Sequence, residues 1–157
     1  MVNKKNLKAV HIGLSVGHAG RLDKSDDEVL GGRGRLMTDF RRLPDVDVAA
    51  YCELYDSSFL DEAKKHHPGA GLYSSVDDLI ANEEFDFACV VLHPRDMPDA
   101  LLKLANAGKH FLADKQFALH GDDIKPVVEA VNRNNLTTFV AYPWRYHPVM
   151  QDIRQLT

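Results

Sequence analysis

Long apolar runs are absent from this 157-residue chain. Its most apolar stretch, Phe85 to Leu92, falls far short of the roughly 20 residues that span a bilayer. The polar start Met1-Val2-Asn3-Lys4-Lys5-Asn6 has no apolar signal core behind it, so the expectation is a cytoplasmic protein without a membrane partner. An excess of basic charge is absent too: 19 Lys and Arg stand against 23 Asp and Glu, a net charge of −4. Nucleic acid and anionic surfaces ask for a basic face, and neither is expected as a partner. Cysteine is scarce. Cys52 and Cys89 both fall in apolar strand patterns, which predicts packed, reduced thiols rather than a disulfide or metal ligands. Of the 8 histidines only His66 and His67 adjoin; neighbours on a helix point in different directions, so no metal site is expected.

A contiguous G-x-G-x-x-G fingerprint is missing as well, although its parts are present. Lys8 to Leu14 is an apolar strand pattern that ends in Gly13-Leu14, and Gly31-Gly32-Arg33-Gly34 precedes Leu36, Met37, Phe40 and Leu43 at helical spacing. A strand, a glycine-rich turn and a helix opening on that turn suit a nucleotide diphosphate. Glycine lets the backbone approach, and free N–H groups with the positive end of the helix dipole face the phosphates. On this reading Ser15 to Leu30 is an insertion within the turn, and Gly13, Leu14, Gly32, Arg33 and Gly34 bind the cofactor. Two alternatives stay open: Gly13, Gly17 and Gly20 form the loop, or these glycines only make turns. The first reading is preferred because a charged run, Asp23 to Glu28, follows Gly20 where an apolar helix would be required.

With 45% apolar and 27% charged residues, the chain has the make-up and length of one globular domain. Val46 to Cys52 reads as a second buried strand, followed at once by Glu53, nineteen residues beyond Gly34. An acid there accepts hydrogen bonds from the adenosine ribose hydroxyls and repels a 2′-phosphate, which favours NAD over NADP. Ser58 with Asp61, and Ser75 with Asp78, mark two helix starts by the capping-box pattern. Leu72-Tyr73 is a short strand, and Phe85 to Leu92 a central parallel one. Its end, Leu92-His93-Pro94, reaches the edge where open sheets bind ligands. Pro98 opens a helix that Gly108 closes. His110 to Ala113 is a strand delivering Asp114-Lys115-Gln116, Asp122 caps a further helix, and Thr137 to Ala141 is the last strand. The aromatic and cationic segment Tyr142 to Pro148 follows, with Trp144 and Arg145 counted among the cofactor-binding residues, before a short amphipathic helix through Val149, Met150, Ile153 and Leu156.

This alternation predicts an α/β fold, a doubly wound parallel sheet of Rossmann type in three αβα layers with right-handed crossovers. Three stretches carry a more specific likeness: the turn ending Gly32-Arg33-Gly34 with the strand closing in Cys52-Glu53, the run Asn106 to Lys115, and Tyr146-His147-Pro148 leading into a helix. The second resembles the signature A-G-K-H-V-L-x-E-K-P. Together they resemble the N-terminal half of the Gfo/Idh/MocA oxidoreductases.

That resemblance implies a dinucleotide-dependent reaction at a CH–OH carbon of a sugar, polyol or cyclitol, with Lys115 as the catalytic cation beside the nicotinamide and Asp114 next to it. It implies nicotinamide contacts from Leu92, His93 and Pro94. The signature's acid is shortened here to Asp114, and its proline is Gln116. It further implies a C-terminal substrate domain that this length cannot hold. Residues 1–142 are expected to form the dinucleotide-binding domain and 143–157 a connection, with little or no turnover alone. A regulatory or scaffold module of the same fold is the alternative, and a homo-oligomer is a possible assembly.

Overall fold

The computed structural model describes residues 6–16 and 43–156; the expected first helix and the candidates Gly32, Arg33 and Gly34 lie outside the described residues. Among the described residues are six strands, β1 (Leu7–Ile12), β2 (Val46–Cys52), β3 (Gly71–Tyr73), β4 (Phe87–Val90), β5 (His110–Ala113) and β6 (Thr138–Val140), and from β2 onwards they alternate with helices α1 (Ser58–His66), α2 (Val76–Asn82), α3 (Met97–Asn106) and α4 (Gly121–Arg133). A 3-10 turn (Pro143–Tyr146) and α5 (Pro148–Gln155) follow. The strands form one sheet in the order β3-β2-β1-β4-β5-β6, and every paired neighbour is parallel.

Side chains alternate across a strand, so the two faces can be assigned from the packing. Val10 and Ile12 of β1, with Ala50, Cys52, Ala88 and Val90, pack against Val76 and Leu79 of α2, Met97, Leu101 and Leu104 of α3, and Val127 and Ala130 of α4. Tyr51, one residue out of phase on β2, packs instead with Leu14 and Ala63 of α1, and Cys89 and Val91 with Val16 and Leu112. Helices therefore cover both faces of the sheet, the doubly wound arrangement the alternation predicted. Burial on both faces is why β4 reads as an unbroken apolar run. Cys52 and Cys89 are both free and buried. Burial, with the Glu53 charge second, pushes the Cys52 thiol up to about 12.

Helix ends follow the sequence in part. Ser75 accepts a hydrogen bond from the Asp78 N–H at 3.3 Å. At the end of α3, Gly108 N–H bonds Ala105 O and Lys109 N–H bonds Leu104 O, with Gly108 left-handed at φ +72°, a Schellman closure. Two caps differ from expectation. Asp56, not a Ser58–Asp61 box, holds the start of α1, accepting from the Ser58 N–H and hydroxyl at 3.0 and 2.7 Å. At α4 the cap is His120, whose N–H donates to Asp123 at 3.1 Å; Asp122 lies within the first turn, because the carboxylate one residue later reaches back to His120.

Strand order reverses between β1 and β4, and at this point the chain turns through Gly13. Its N–H donates to Cys52 O at 2.8 Å. Its φ is +88°, and an added Cβ would lie 1.9 Å from Val91 O. Gly108 shares the left-handed conformation with no atom within 4 Å of such a Cβ. Replacing Gly108 by Ala should therefore cost about 1 kcal/mol of backbone strain alone. Gly13→Ala, with collision added, should cost on the order of 3 kcal/mol or more. Urea unfolding of the two variants measures the difference, and equal losses would contradict the packing at Gly13.

Candidate functional site

All strands end on one edge of the sheet, so that edge collects the residues after β1, β2, β4 and β5. After β1 come Gly13, Leu14 and Ser15. Val91 N–H donates to Ile12 O at 2.8 Å, so the β1 turn is fastened to β4 on one side as it is to β2 on the other.

Glu53 follows β2 and is 2% exposed. Its Oε2 accepts from the N–H groups of Leu14 at 2.5 Å and Ser15 at 2.8 Å. Its Oε1 accepts from the Ser15 hydroxyl at 2.8 Å, the Tyr55 N–H at 2.8 Å and the Asp56 N–H at 3.3 Å. Burial alone would push this carboxyl up; the donors from Tyr55, Leu14 and Ser15 outweigh it, and the net direction is down. Glu53 is thus held as an anion.

The loop after β2 is tied to the loop after β4 through Tyr55. Its hydroxyl donates to Asp96 at 2.8 Å and accepts from the His93 N–H at 3.2 Å. Its ring lies 4.9 Å from the His93 imidazole. Burial, then the bond to Asp96, pushes the Tyr55 phenol up to about 12. Leu92 is turned into the core, His93 is exposed and Pro94 half-buried.

Asp114 is buried at the end of β5, its N–H donating to Val90 O at 2.8 Å, and Lys115 follows on the exposed side of the edge. The Lys115–Gln116 peptide is cis. Beside it lies an open cleft of about 300 Å³ lined by Gln116, Phe117, Leu119, His120, Ile124 and Tyr142. Trp144 and Arg145 sit in the 3-10 turn beyond β6, both exposed. Trp144 faces His147 at 5.1 Å between ring centres, and no described contact joins either residue to the β1 turn.

The structure thus brings Gly13, Leu14 and Glu53 into one bonded unit, with His93 linked to it through Tyr55. Lys115 stands on the same edge, three strand spacings from β2, about 14 Å. Sequence reasoning missed Ser15 and Tyr55. Ser15 directly follows the Gly13-Leu14 turn and Tyr55 is two residues beyond Glu53, so proximity in sequence was the only available signal. Among the described residues no group of His, Cys, Asp or Glu could hold a metal ion, and no helix is long and apolar enough to cross a membrane.

Residues 34–142 match the family model described as an oxidoreductase family with an NAD-binding Rossmann fold, Gfo/Idh/MocA. The chain belongs to the Gfo/Idh/MocA oxidoreductase family. Its family is NAD-binding. Over 131 residues it is 28% identical to trans-1,2-dihydrobenzene-1,2-diol dehydrogenase of Xenopus laevis, covering 78% of this chain and 39% of that protein. Among solved structures, myo-inositol 2-dehydrogenase of Lactobacillus plantarum superposes with a TM-score of 0.74 at 20% identity, over 97% of this chain and 41% of that one. The scyllo-inositol dehydrogenase of Lactobacillus casei, solved with NAD(H) and scyllo-inositol, gives a TM-score of 0.73 at 19% identity, covering 97% and 41%. These two likenesses show the fold. The chain spans between 24% and 39% of the length of the curated relatives it matches.

One further group beneath the site titrates. His11 on β1 is 2% exposed, and neither ring nitrogen has a hydrogen-bond partner among the described residues. Burial pushes its imidazole down to about 4, against smaller upward effects of the Gly13 backbone and the Glu53 charge. A base whose folded pKa lies below its unfolded value of 6.5 costs stability as pH falls from that value towards the folded one. Between pH 7 and 4.5 the loss should be on the order of 2 kcal/mol. Glu53, shifted down, loses its contribution only below its unfolded value of 4.5. Urea unfolding at the two pH values should therefore show a smaller loss in His11→Phe than in the parent; an unchanged pH dependence would contradict the assignment.

Proposed function

We propose that this chain is the cofactor-binding part of an oxidoreductase acting on a CH–OH group of a sugar, polyol or cyclitol, with NAD rather than NADP. The observation that carries the reading is the pair of backbone N–H groups at Leu14 and Ser15. They already converge on one anionic oxygen at the point where strand order reverses. Donors so arranged fit a diphosphate. NAD, when bound, supplies the hydride chemistry.

In this reading Leu14 and its neighbours seat the diphosphate, together with Gly32, Arg33 and Gly34 as the sequence pattern has it. Glu53 faces the adenosine ribose and repels a 2′-phosphate. Lys115, farther along the edge, lies beside the reacting carbon, where its ammonium hydrogen-bonds the substrate oxygen and stabilises the charge that develops as a proton leaves. The solved inositol dehydrogenases support the substrate class. In this reading a further domain of the whole enzyme supplies substrate contacts and an acid–base pair, and turnover by residues 1–157 alone should be low. Exposed Trp144, Tyr146, Val149 and Ile153 offer an apolar face for such a domain or for a second copy.

Calorimetric titration tests the cofactor. NADH should bind at least about tenfold more tightly than NADPH, the effect of placing a phosphate against a buried carboxylate. Preference for NADPH would overturn the role of Glu53, and binding of neither would overturn the whole reading.

A further inference from the structure

We propose that Glu53 is an internal anion that occupies the diphosphate seat until a dinucleotide displaces it. The inference rests on the dinucleotide reading above and adds to it how the site discriminates among ligands. Oε2 takes both turn amides, and Oε1 takes three further donors. A carboxylate offers about four lone-pair positions, so five protein donors leave nothing for a ribose hydroxyl. The converse also holds: while Oε2 stays in place, a phosphate oxygen finds no free N–H on Leu14 or Ser15.

Both halves of a dinucleotide can be served only if Oε2 releases the turn. The diphosphate then takes the N–H groups of Leu14 and Ser15, an exchange of one anion for another with the donors remaining paired. Oε1 keeps the N–H groups of Tyr55 and Asp56, which belong to the same turn as Glu53 itself, and Oε2 becomes free to accept from the vicinal ribose hydroxyls. The exchange carries a cost that neither fragment recovers alone. A bare diphosphate expels the carboxylate without giving it new donors, and a nucleoside meets an acceptor already filled. A molecule joining the two recovers both, so the site selects nucleoside diphosphates and discriminates against their parts. Ionisation of the carboxyl, kept by its donors against the effect of burial, is what makes it an effective competitor.

Titration of the parent chain, Glu53→Gln and Glu53→Asp with inorganic pyrophosphate and with NADH tests this. Glu53→Asp keeps the charge but is one methylene short of the turn amides. Pyrophosphate should bind both variants at least about fivefold more tightly than the parent, while NADH binds Glu53→Gln more weakly by about tenfold, the scale of one hydrogen bond to a charged group. In the parent, the carbon-13 signal of the Glu53 carboxylate should shift as pyrophosphate saturates. Equal or weaker pyrophosphate binding by Glu53→Asp, or a carboxylate signal that stays in place, overturns the exchange and leaves Glu53 as a simple ribose acceptor. Should Glu53→Gln fail to fold, Glu53→Asp and the carboxylate signal decide. Failure of the parent to bind NADH at all would instead remove the dinucleotide reading on which the exchange rests.

Discussion

The Glu53 carboxylate fastens the turn after β1 to the end of β2, and the edge of the sheet at the strands' carboxyl ends takes its shape from that fastening. Burying an ionised carboxylate is costly unless hydrogen bonds replace the lost water. Here four backbone or hydroxyl groups lie within 2.8 Å and the fifth donor at 3.3 Å. Bonds to a charged acceptor contribute about 1.5–3 kcal/mol each when intact, and leaving either side unpaired costs comparably. Leu14 and Ser15 therefore have their N–H groups aimed at an anion before any ligand arrives. Gly13 makes this possible from beneath, since only a residue without a side chain can pass under Val91 O.

From that node the constraint spreads along the edge. The turn holding Glu53 also presents Tyr55, whose hydroxyl is bonded to both Asp96 and His93 in the loop after β4. Three loops from strands adjacent in the sheet are thus linked by two side chains, and Asp114 and Lys115 follow on the next strand over. The rigid part of the arrangement is the parallel sheet, whose central strands bury apolar residues on both faces. The variable part is what the strand ends carry, which is where one Rossmann sheet comes to differ from another.

Much of the sheet could be read from residue order because its central strands are apolar on both faces and bounded by turn residues. Gly108 was legible as a helix end for a local reason, the left-handed backbone that glycine tolerates. Caps were less legible where the capping residue is not the Ser or Asp that usually marks a helix start: Asp56 holds Ser58 from two residues before it, and Asp123 reaches back three residues to His120. Glu53 could be placed by its distance from the glycines, yet its inward turn could not. That turn depends on amides 38 and 39 residues away, beyond any local pattern. Leu92, chosen for its position at a strand end, proves to be core, because the strand's alternation carries past its last ladder bond.

The central claim is that one ligand runs along the carboxyl ends of the strands, from Glu53 across the β1 turn towards Lys115. The amide spectrum of nitrogen-15-labelled chain titrated with NADH addresses it most directly. The account predicts that signals of Leu14, Ser15, Glu53, His93 and Lys115 move together on one binding curve, while those of Leu7, Val46 and His110 at the opposite edge stay still. Saturable shifts confined to the opposite edge, or to the face formed by α5, would contradict it.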